Sequence, residues 1–262
     1  MSTNLEGKIA VVSGSSRGIG LAVARELARQ GCDCLLTGRF ENTLSEAAAK
    51  LAEESGRRIE IRPGDLRTAE GCQAVHRTVV ESFGAVDILI NNAGATQGGD
   101  FLELGDAIWE DGFALKFYAC VRLSRLLWPM LTERRGNVVS IVGGFARTPE
   151  PDYMIGGAVN AAMANFTKAL AGRGKRDDVN VNAIYPGFTE TERVTRIFVA
   201  RAKQTGVSPE QARRDILNEQ GIRRIGAPED TAKLAAFLCS PDARHIQGTA
   251  IAVDGGATEG LF

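Results

Sequence analysis

Seven short apolar runs recur along the chain: "KIAVVSG" (8–14), "CDCLLTG" (32–38), "RRIEIRPGD" (57–65), "VDILINNAG" (86–94), "GNVVSIVGG" (136–144), "VNVNAIYPG" (179–187) and "GTAIAVDGG" (248–256). Each closes on Gly, Asp or Asn near a turn, and longer stretches with helical spacing separate them. The runs are nearly continuous in apolar residues rather than alternating, as in strands covered on both faces, and parallel strands need helical crossovers of about a dozen residues or more. The pattern therefore predicts an α/β fold: a doubly wound sheet of about seven parallel strands with helices on both faces. Ile19, Val23 and Leu27 between the first two runs, and Val75, Val79 and Phe83 between the third and fourth, supply the buried stripes of two such helices. With 262 residues, no internal repeat and no low-complexity linker, one domain over 1–262 is expected. The charged segment at about 190–221 follows the sixth strand and reads as a helical lid over a substrate. In it Ile197, Phe198 and Val199 form an apolar surface among arginines that suit a carboxylate or a thioester carrier.

Charge narrows the partners. The net charge is −1 and the basic residues are dispersed, so neither nucleic acid nor an anionic membrane is expected as a partner. The five cysteines are odd in number and lack metal-ligand spacing, which predicts reduced thiols and no metal site. The first residues, "MSTNLEGKIAVVSG", show no signal peptide and no stretch is long enough to span a bilayer, so a soluble cytoplasmic protein is expected.

At the first strand-to-helix junction lies "SGSSRGIG" (13–20). Glycines at 14, 18 and 20 permit a tight turn and let backbone amides approach a pyrophosphate at the helix N-terminus. Alone this is a weak signal. In order along the chain it is followed by Asp65, "NNAG" (91–94), "YPG" (185–187) and "VDGG" (253–256), and this combination resembles the short-chain dehydrogenase/reductase family over nearly the whole length. The resemblance implies a Rossmann-type nucleotide-binding fold. It also implies Gly14, Ser16, Gly18, Ile19 and Gly20 at the pyrophosphate and Asp65 with Leu66 at the adenine. Asn91, Ala93 and Gly94 would flank the cofactor, and Pro186, Gly187 and Thr189 would lie near the nicotinamide amide. It further implies a homodimer or homotetramer formed through the two long helices on either side of the fifth strand.

The cofactor type follows from charge. An acid at the end of the second strand favours a ribose 2′-hydroxyl and repels a 2′-phosphate, whereas an arginine does the reverse. Here "TGRF" puts Gly38 where the acid would be and Arg39 beside it, and Arg17 of the glycine loop is within reach of the same group. NADP is expected in preference to NAD.

Catalysis is the anomaly. Dehydrogenases of the family resemble one another in using Tyr, Lys, Ser and Asn, the lysine lowering the pKa of the tyrosine. Aligned by "TKALA" (167–171), this chain has Gly156 at the tyrosine position, Asn160 at the lysine position, Gly143 at the serine position and Lys116 at the asparagine position. None of Tyr118, Tyr153 and Tyr185 has a lysine four residues later. Lys116 and Asn160 read as an exchange between two neighbouring positions, which keeps one amine in the pocket. Tyr153, three residues before the vacant tyrosine position, is the other candidate proton donor. The catalytic candidates are thus Lys116, Tyr153 and Asn160. Tyr118 with Arg122 is expected to be a packing pair, Ser140 to face a neighbouring helix, and His76 and His245 to lie on surface-like segments. The leading expectation is an NADP-dependent oxidoreductase of a small carbonyl, imine or enone substrate. The alternatives are an NADP-binding sensor or inactive subunit without redox turnover, and a lyase or isomerase using Lys116.

Overall fold

The structure, a computed structural model, describes residues 5–258. Seven parallel strands form one sheet: β1 (Ile9–Val12), β2 (Asp33–Gly38), β3 (Ile59–Pro63), β4 (Ile88–Asn91), β5 (Asn137–Ile141), β6 (Asn180–Pro186) and β7 (Ala250–Val253), in the order β3-β2-β1-β4-β5-β6-β7. The order reverses at β1, so a crevice opens between the carboxyl ends of β1 and β4, the place where open α/β sheets take ligands.

Both sheet faces are covered. Val12, Leu36, Ile88 and Ile90 pack with Val23 and Leu27 of α1 (Gly18–Arg29), with Leu44 and Leu51 of α2 (Glu41–Ser55) and with α9 (Pro228–Leu238). Their strand neighbours Val11, Leu35, Leu89 and Val138 point the other way, against α3 (Ala69–Ser82) and α5 (Ala119–Glu133). Successive strand residues point to opposite faces, so a strand buried on both must be apolar at every position. Truncating Leu35 or Leu36, each fully buried, to Ala would cost about 2–5 kcal/mol.

Four further helices shape the carboxyl end. α4 (Asp106–Gly112) runs through a π-helical stretch, Phe113–Tyr118, into α5. α6 (Met154–Asp177) follows β5 after two short 3-10 turns, Gly144–Ala146 and Pro151–Tyr153. α7 (Glu192–Thr205) and α8 (Pro209–Glu219) form a helical pair after β6.

That pair corrects one detail of the sequence reading. Phe198 is buried with Val194, Ile216, Ile222 and Ile225 and holds α7 to α8, whereas Ile197 and Val199 are 39% and 52% exposed. Three consecutive helical residues project about 100° apart, so they cannot share one apolar face.

Candidate active site

The glycine loop and the end of β4 are stitched together. Ser13 Oγ donates to the Ile90 carbonyl (3.1 Å) and accepts from the amides of Asn92 (2.9 Å) and Ala93 (3.0 Å). Asn92 Nδ2 in turn donates to the carbonyls of Ser13 (3.0 Å) and Gly14 (2.9 Å). Gly14 has φ 65°, and a Cβ there would come within 2.8 Å of Ala93 Cα. A Cβ on Gly20 would sit 2.3 Å from the Gly14 carbonyl, so α1 can begin directly under the loop only with glycine at 20. The first turn of α1 has no side-chain cap and no acidic residue. Its amides are therefore free for an anion, and Gly18, Ile19 and Gly20 lie in that turn.

Ser13 and Asn92 were missed by the sequence reading, although the doubled asparagine of "NNAG" was the available signal. Asn91, by contrast, is turned inward. It is 2% exposed and donates from Nδ2 to Ser124 Oγ on α5 (3.1 Å), so its side chain braces the helix and only its backbone faces the crevice end of β4.

At the far end of the crevice Gly38 closes β2 beside Ser16. A Cβ at 38 would lie 3.4 Å from Ser16 Oγ. Arg39 is exposed, with its guanidinium 5.3 Å from the Phe40 ring centre, and makes no ion pair among the described residues. Arg17 is engaged: its Nη1 is 2.5 Å from Glu192 Oε2 at the start of α7. Asp65 Oδ1 accepts from the Arg67 amide (3.0 Å) and from Arg67 Nη1 (3.3 Å), ordering the loop into α3. Leu66 is 4% exposed and belongs to the core beneath that helix, so its side chain is packing.

On the other side of the crevice Pro186 ends β6. A Cβ on Gly187 would lie 2.8 Å from Asp254 Cα. Thr189 is buried, donates from Oγ1 to the Gly187 carbonyl (3.0 Å) and pairs through its backbone with Gly226. Thr191 caps α7 through the Val194 amide (3.4 Å), and its methyl would be 3.3 Å from a Cβ on Gly18. α7 thus starts directly over the glycine loop.

Between these walls lies a cluster of polar side chains built on Lys116 and Asn160. Lys116 sits in the π-helical stretch, a local winding that re-aims side chains and recurs at functional sites. Its stem covers Gly94, where a Cβ would come within 2.8 Å of Lys116 Cδ. Lys116 Nζ donates to Asn160 Oδ1 (2.5 Å) on α6 and to the Val142 carbonyl just after β5. Asn160 is 4% exposed, and its Nδ2 is 2.9 Å from where a Cβ on Gly143 would project. Gly143 also has φ 142°, a conformation that strains any L side chain, so a serine is excluded there both by space and by backbone.

Tyr153 is the second occupant. Its ring packs at 5.0 Å from the Phe145 ring centre, and its hydroxyl bonds Thr96 Oγ1 and Arg193 Nη2 of α7. Burial lowers the pKa of the Lys116 amine to about 7, and the nearby Arg193 charge pushes the same way, while Cys120 opposes both. At neutral pH this amine exists in both protonation states, the condition a general acid/base needs.

Other residues named from sequence are structural. Ser140 accepts from Thr167 Oγ1 (3.0 Å) in the core. The Arg122 guanidinium lies 5.4 Å from the Tyr118 ring centre and donates to the Arg67 carbonyl (2.7 Å). His76 is half-buried on α3 and His245 is exposed. All five cysteines are free and buried, and burial pushes the thiols of Cys32 and Cys120 up to about 12. Among the described residues no helix is long and apolar enough to cross a membrane.

Similarity to known proteins extends over the whole chain. Residues 14–258 match the family model described as enoyl-(acyl carrier protein) reductase. The 3-oxoacyl-(acyl-carrier-protein) reductase FabG of Vibrio cholerae is 32% identical over 257 residues, covering 97% of this chain and 98% of that protein. The crystal structure of L-sorbose reductase from Gluconobacter frateurii, complexed with NADPH and L-sorbose, superposes with a TM-score of 0.96 at 35% identity over all of both chains. A short chain dehydrogenase from Burkholderia cenocepacia, in complex with NADP, gives 0.86 at 30% identity over 97% of this chain and 99% of the other. Fold, glycine loop and these relatives agree: the chain belongs to the short-chain dehydrogenase/reductase family.

Proposed function

We propose that this chain is an NADP(H)-dependent oxidoreductase that acts on a small carbonyl, imine or enone and exchanges the proton through Lys116. That it is an oxidoreductase is supported by relatives that are reductases and dehydrogenases, and NADP(H) by solved relatives complexed with NADPH or NADP. This chain's own residues fit that cofactor. The uncapped, acid-free first turn of α1 suits a pyrophosphate, and Gly14, Ser16, Gly18, Ile19 and Gly20 line it. Arg39, free of any ion pair among the described residues, stands where a 2′-phosphate needs a cation, with Arg17 as a second. Asp65 and the backbone of Leu66 take the adenine, the backbones of Asn91, Ala93 and Gly94 the central ribose region, and Pro186, Gly187 and Thr189 the amide end.

When bound, NADPH supplies the hydride. The chain has to direct the proton, and the observation that carries the proposal is the pair of acceptors on Lys116. A neutral amine has two N–H donors and one lone pair. With both donors held by Asn160 Oδ1 and the Val142 carbonyl, the lone pair has one remaining direction, which this reading assigns to the substrate. Protonated, the third N–H points the same way and transfers to the oxygen or nitrogen that gains negative charge. Asn160 acts as the positioning residue. The Tyr153 hydroxyl is engaged on both sides by Thr96 and Arg193.

The same reading has the chain working in the cytoplasm as a homodimer or homotetramer packed through α5 and α6. Light scattering at micromolar concentration is then expected to give a multiple of 28.0 kDa.

The test follows NADPH absorbance against a panel of ketones, imines and enones, with cofactor binding measured in parallel by fluorescence. Lys116→Met is expected to lower turnover by about 10² to 10⁴ and leave NADPH affinity within about two-fold. Loss of turnover with Tyr153→Phe but not with Lys116→Met transfers the role to the phenol. Tight NADPH binding without turnover on any substrate favours the reading as a sensor or inactive subunit, and NADPH-independent conversion favours a lyase or isomerase.

A further inference from the structure

Arg193 is out of place by every ordinary rule of charge placement. It lies in the first turn of α7, where the helix dipole disfavours a cation. Three arginines in or beside the lid are matched: Arg201 pairs with Glu219 (3.0 Å), Arg224 with Asp230 (2.7 Å) and Arg213 with Glu190. Among the described residues Arg196 and Arg214 have no carboxylate either, but each bonds only within its own helix, Arg196 to the Glu192 carbonyl and Arg214 to Gln211. Arg193 has no carboxylate partner among the described residues. It donates instead to the neutral Tyr153 hydroxyl and lies over that ring at 5.9 Å.

The other cation of the pocket is Lys116, whose hydrogen-bond partners, the Val142 carbonyl and Asn160, are both neutral. The ionisable groups that act on it are Arg193 from α7 and the Cys120 thiol from α5, and that thiol is itself kept neutral by burial. Two cations therefore share one pocket with a phenol and two neutral polar side chains, and with no carboxylate bonded to either cation among the described residues. Such an arrangement is unfavourable until an anion enters, because the Lys116 amine is desolvated by burial and the Arg193 charge repels it.

We propose that Arg193 is the anchor for a carboxylate carried by the substrate, so that the enzyme acts on organic acids bearing a carboxylate close to the reducible C=O, C=N or C=C bond. This rests on the proposed oxidoreductase reading and names its substrate class. A guanidinium matches a carboxylate in bidentate geometry. Binding is coupled to catalysis by the same charge: an anion between the two cations screens Arg193 from Lys116 and favours the protonated amine, so the acid substrate loads its own proton donor. Because Arg193 rides on the lid while Tyr153 and Lys116 belong to the body of the domain, the carboxylate also fastens the lid over the site.

The experiment is equilibrium binding, which needs no turnover and so fails or succeeds independently of the hydride chemistry. With NADP⁺ saturating, crotonate is compared with crotonamide and benzoate with benzamide, pairs equal in shape that differ in charge, by ligand-observed NMR. The acids are expected to bind roughly ten-fold more tightly than the amides. Arg193→Met should abolish that preference and leave amide binding and NADP⁺ affinity unchanged, while Arg201→Gln on the same helix should preserve it. Equal binding of acid and amide, an acid preference that survives Arg193→Met, or no acid binding at millimolar concentration each overturns the proposal.

Discussion

The ring of Tyr153 fills the space of the side chain that Gly156 lacks: its Cε1 lies 1.8 Å from the point where a Cβ on Gly156 would stand. The tyrosine three residues earlier takes up the volume beside Gly156, and glycine is what admits it. In a helix interior alanine is worth about 1 kcal/mol more than glycine. Here the methyl must expel a ring held by Phe145, Thr96 and Arg193, at about 1–3 kcal/mol for overpacking and about 1 kcal/mol for each hydrogen bond lost. Gly156→Ala is therefore expected to lower the unfolding free energy by about 2–4 kcal/mol. In a Tyr153→Ala background the same change should become stabilising. Denaturant unfolding of the four variants decides, and an effect of equal sign in both backgrounds refutes the exchange of volumes.

The pH dependence of reduction tests Lys116 as donor. The donor must carry its proton, so kcat for carbonyl reduction is expected to be highest below about pH 7 and to fall as the amine titrates there. For the reverse oxidation the amine must be free, so the limb runs the other way. Removing the Arg193 charge with Arg193→Met takes away one of the two causes that lower the amine's pKa and should move both midpoints to higher pH. Midpoints that do not respond to Arg193→Met would detach this limb from Lys116.

Stability reports on the same group without any substrate. The amine titrates near 7 when folded and near 10.5 in the unfolded chain. Between those values the unfolded state binds more protons, so this residue's contribution makes stability rise with pH. Below about 7 both states are protonated, and the cost of burying the charge is present in full. Measured from pH 7 to 8, where the ionisation of unfolded cysteines near 8.5 is common to both proteins and cancels in the comparison, the unfolding free energy of Lys116→Met should show a smaller upward slope than that of the natural chain. Equal slopes would mean that the amine is not held in its neutral form.

Which parts of this molecule can be read in one dimension follows from how far apart the determinants lie. The strands are legible because burial on both faces makes every position apolar, as in "ILIN" of β4. The approach of Lys116 to Asn160 is legible because two helices of known register bring fixed positions together. The clamp on Tyr153 is not, since Thr96 and Arg193 stand 57 and 40 residues away in a loop and in the lid, and no periodicity links them. The Val142 carbonyl is hidden for another reason: a backbone acceptor leaves no trace in residue type. The inward turn of Asn91 onto Ser124 is likewise decided by packing against α5.

The pairing of Arg17 with Glu192 gives the last prediction. The two side chains are 58% and 66% exposed, and such a pair is worth about 0–1 kcal/mol. A phosphate therefore outcompetes Glu192 for Arg17 readily, yet the carboxylate still adds negative charge close to where the 2′-phosphate would sit. Glu192→Gln removes that charge and keeps the shape. NADPH is expected to bind about two- to five-fold more tightly to this variant, as loss of a pair of that strength allows, and NADH affinity should hold constant. Arg39→Asp acts in the opposite direction, removing a cation that makes no ion pair among the described residues and placing an acid where a 2′-hydroxyl is preferred. It should narrow or reverse the preference for NADPH. Fluorescence titration of both cofactors against the three proteins gives the six affinities. If Glu192→Gln tightens NADH as much as NADPH, Arg17 serves the pyrophosphate common to both, and Arg39 alone distinguishes the two cofactors.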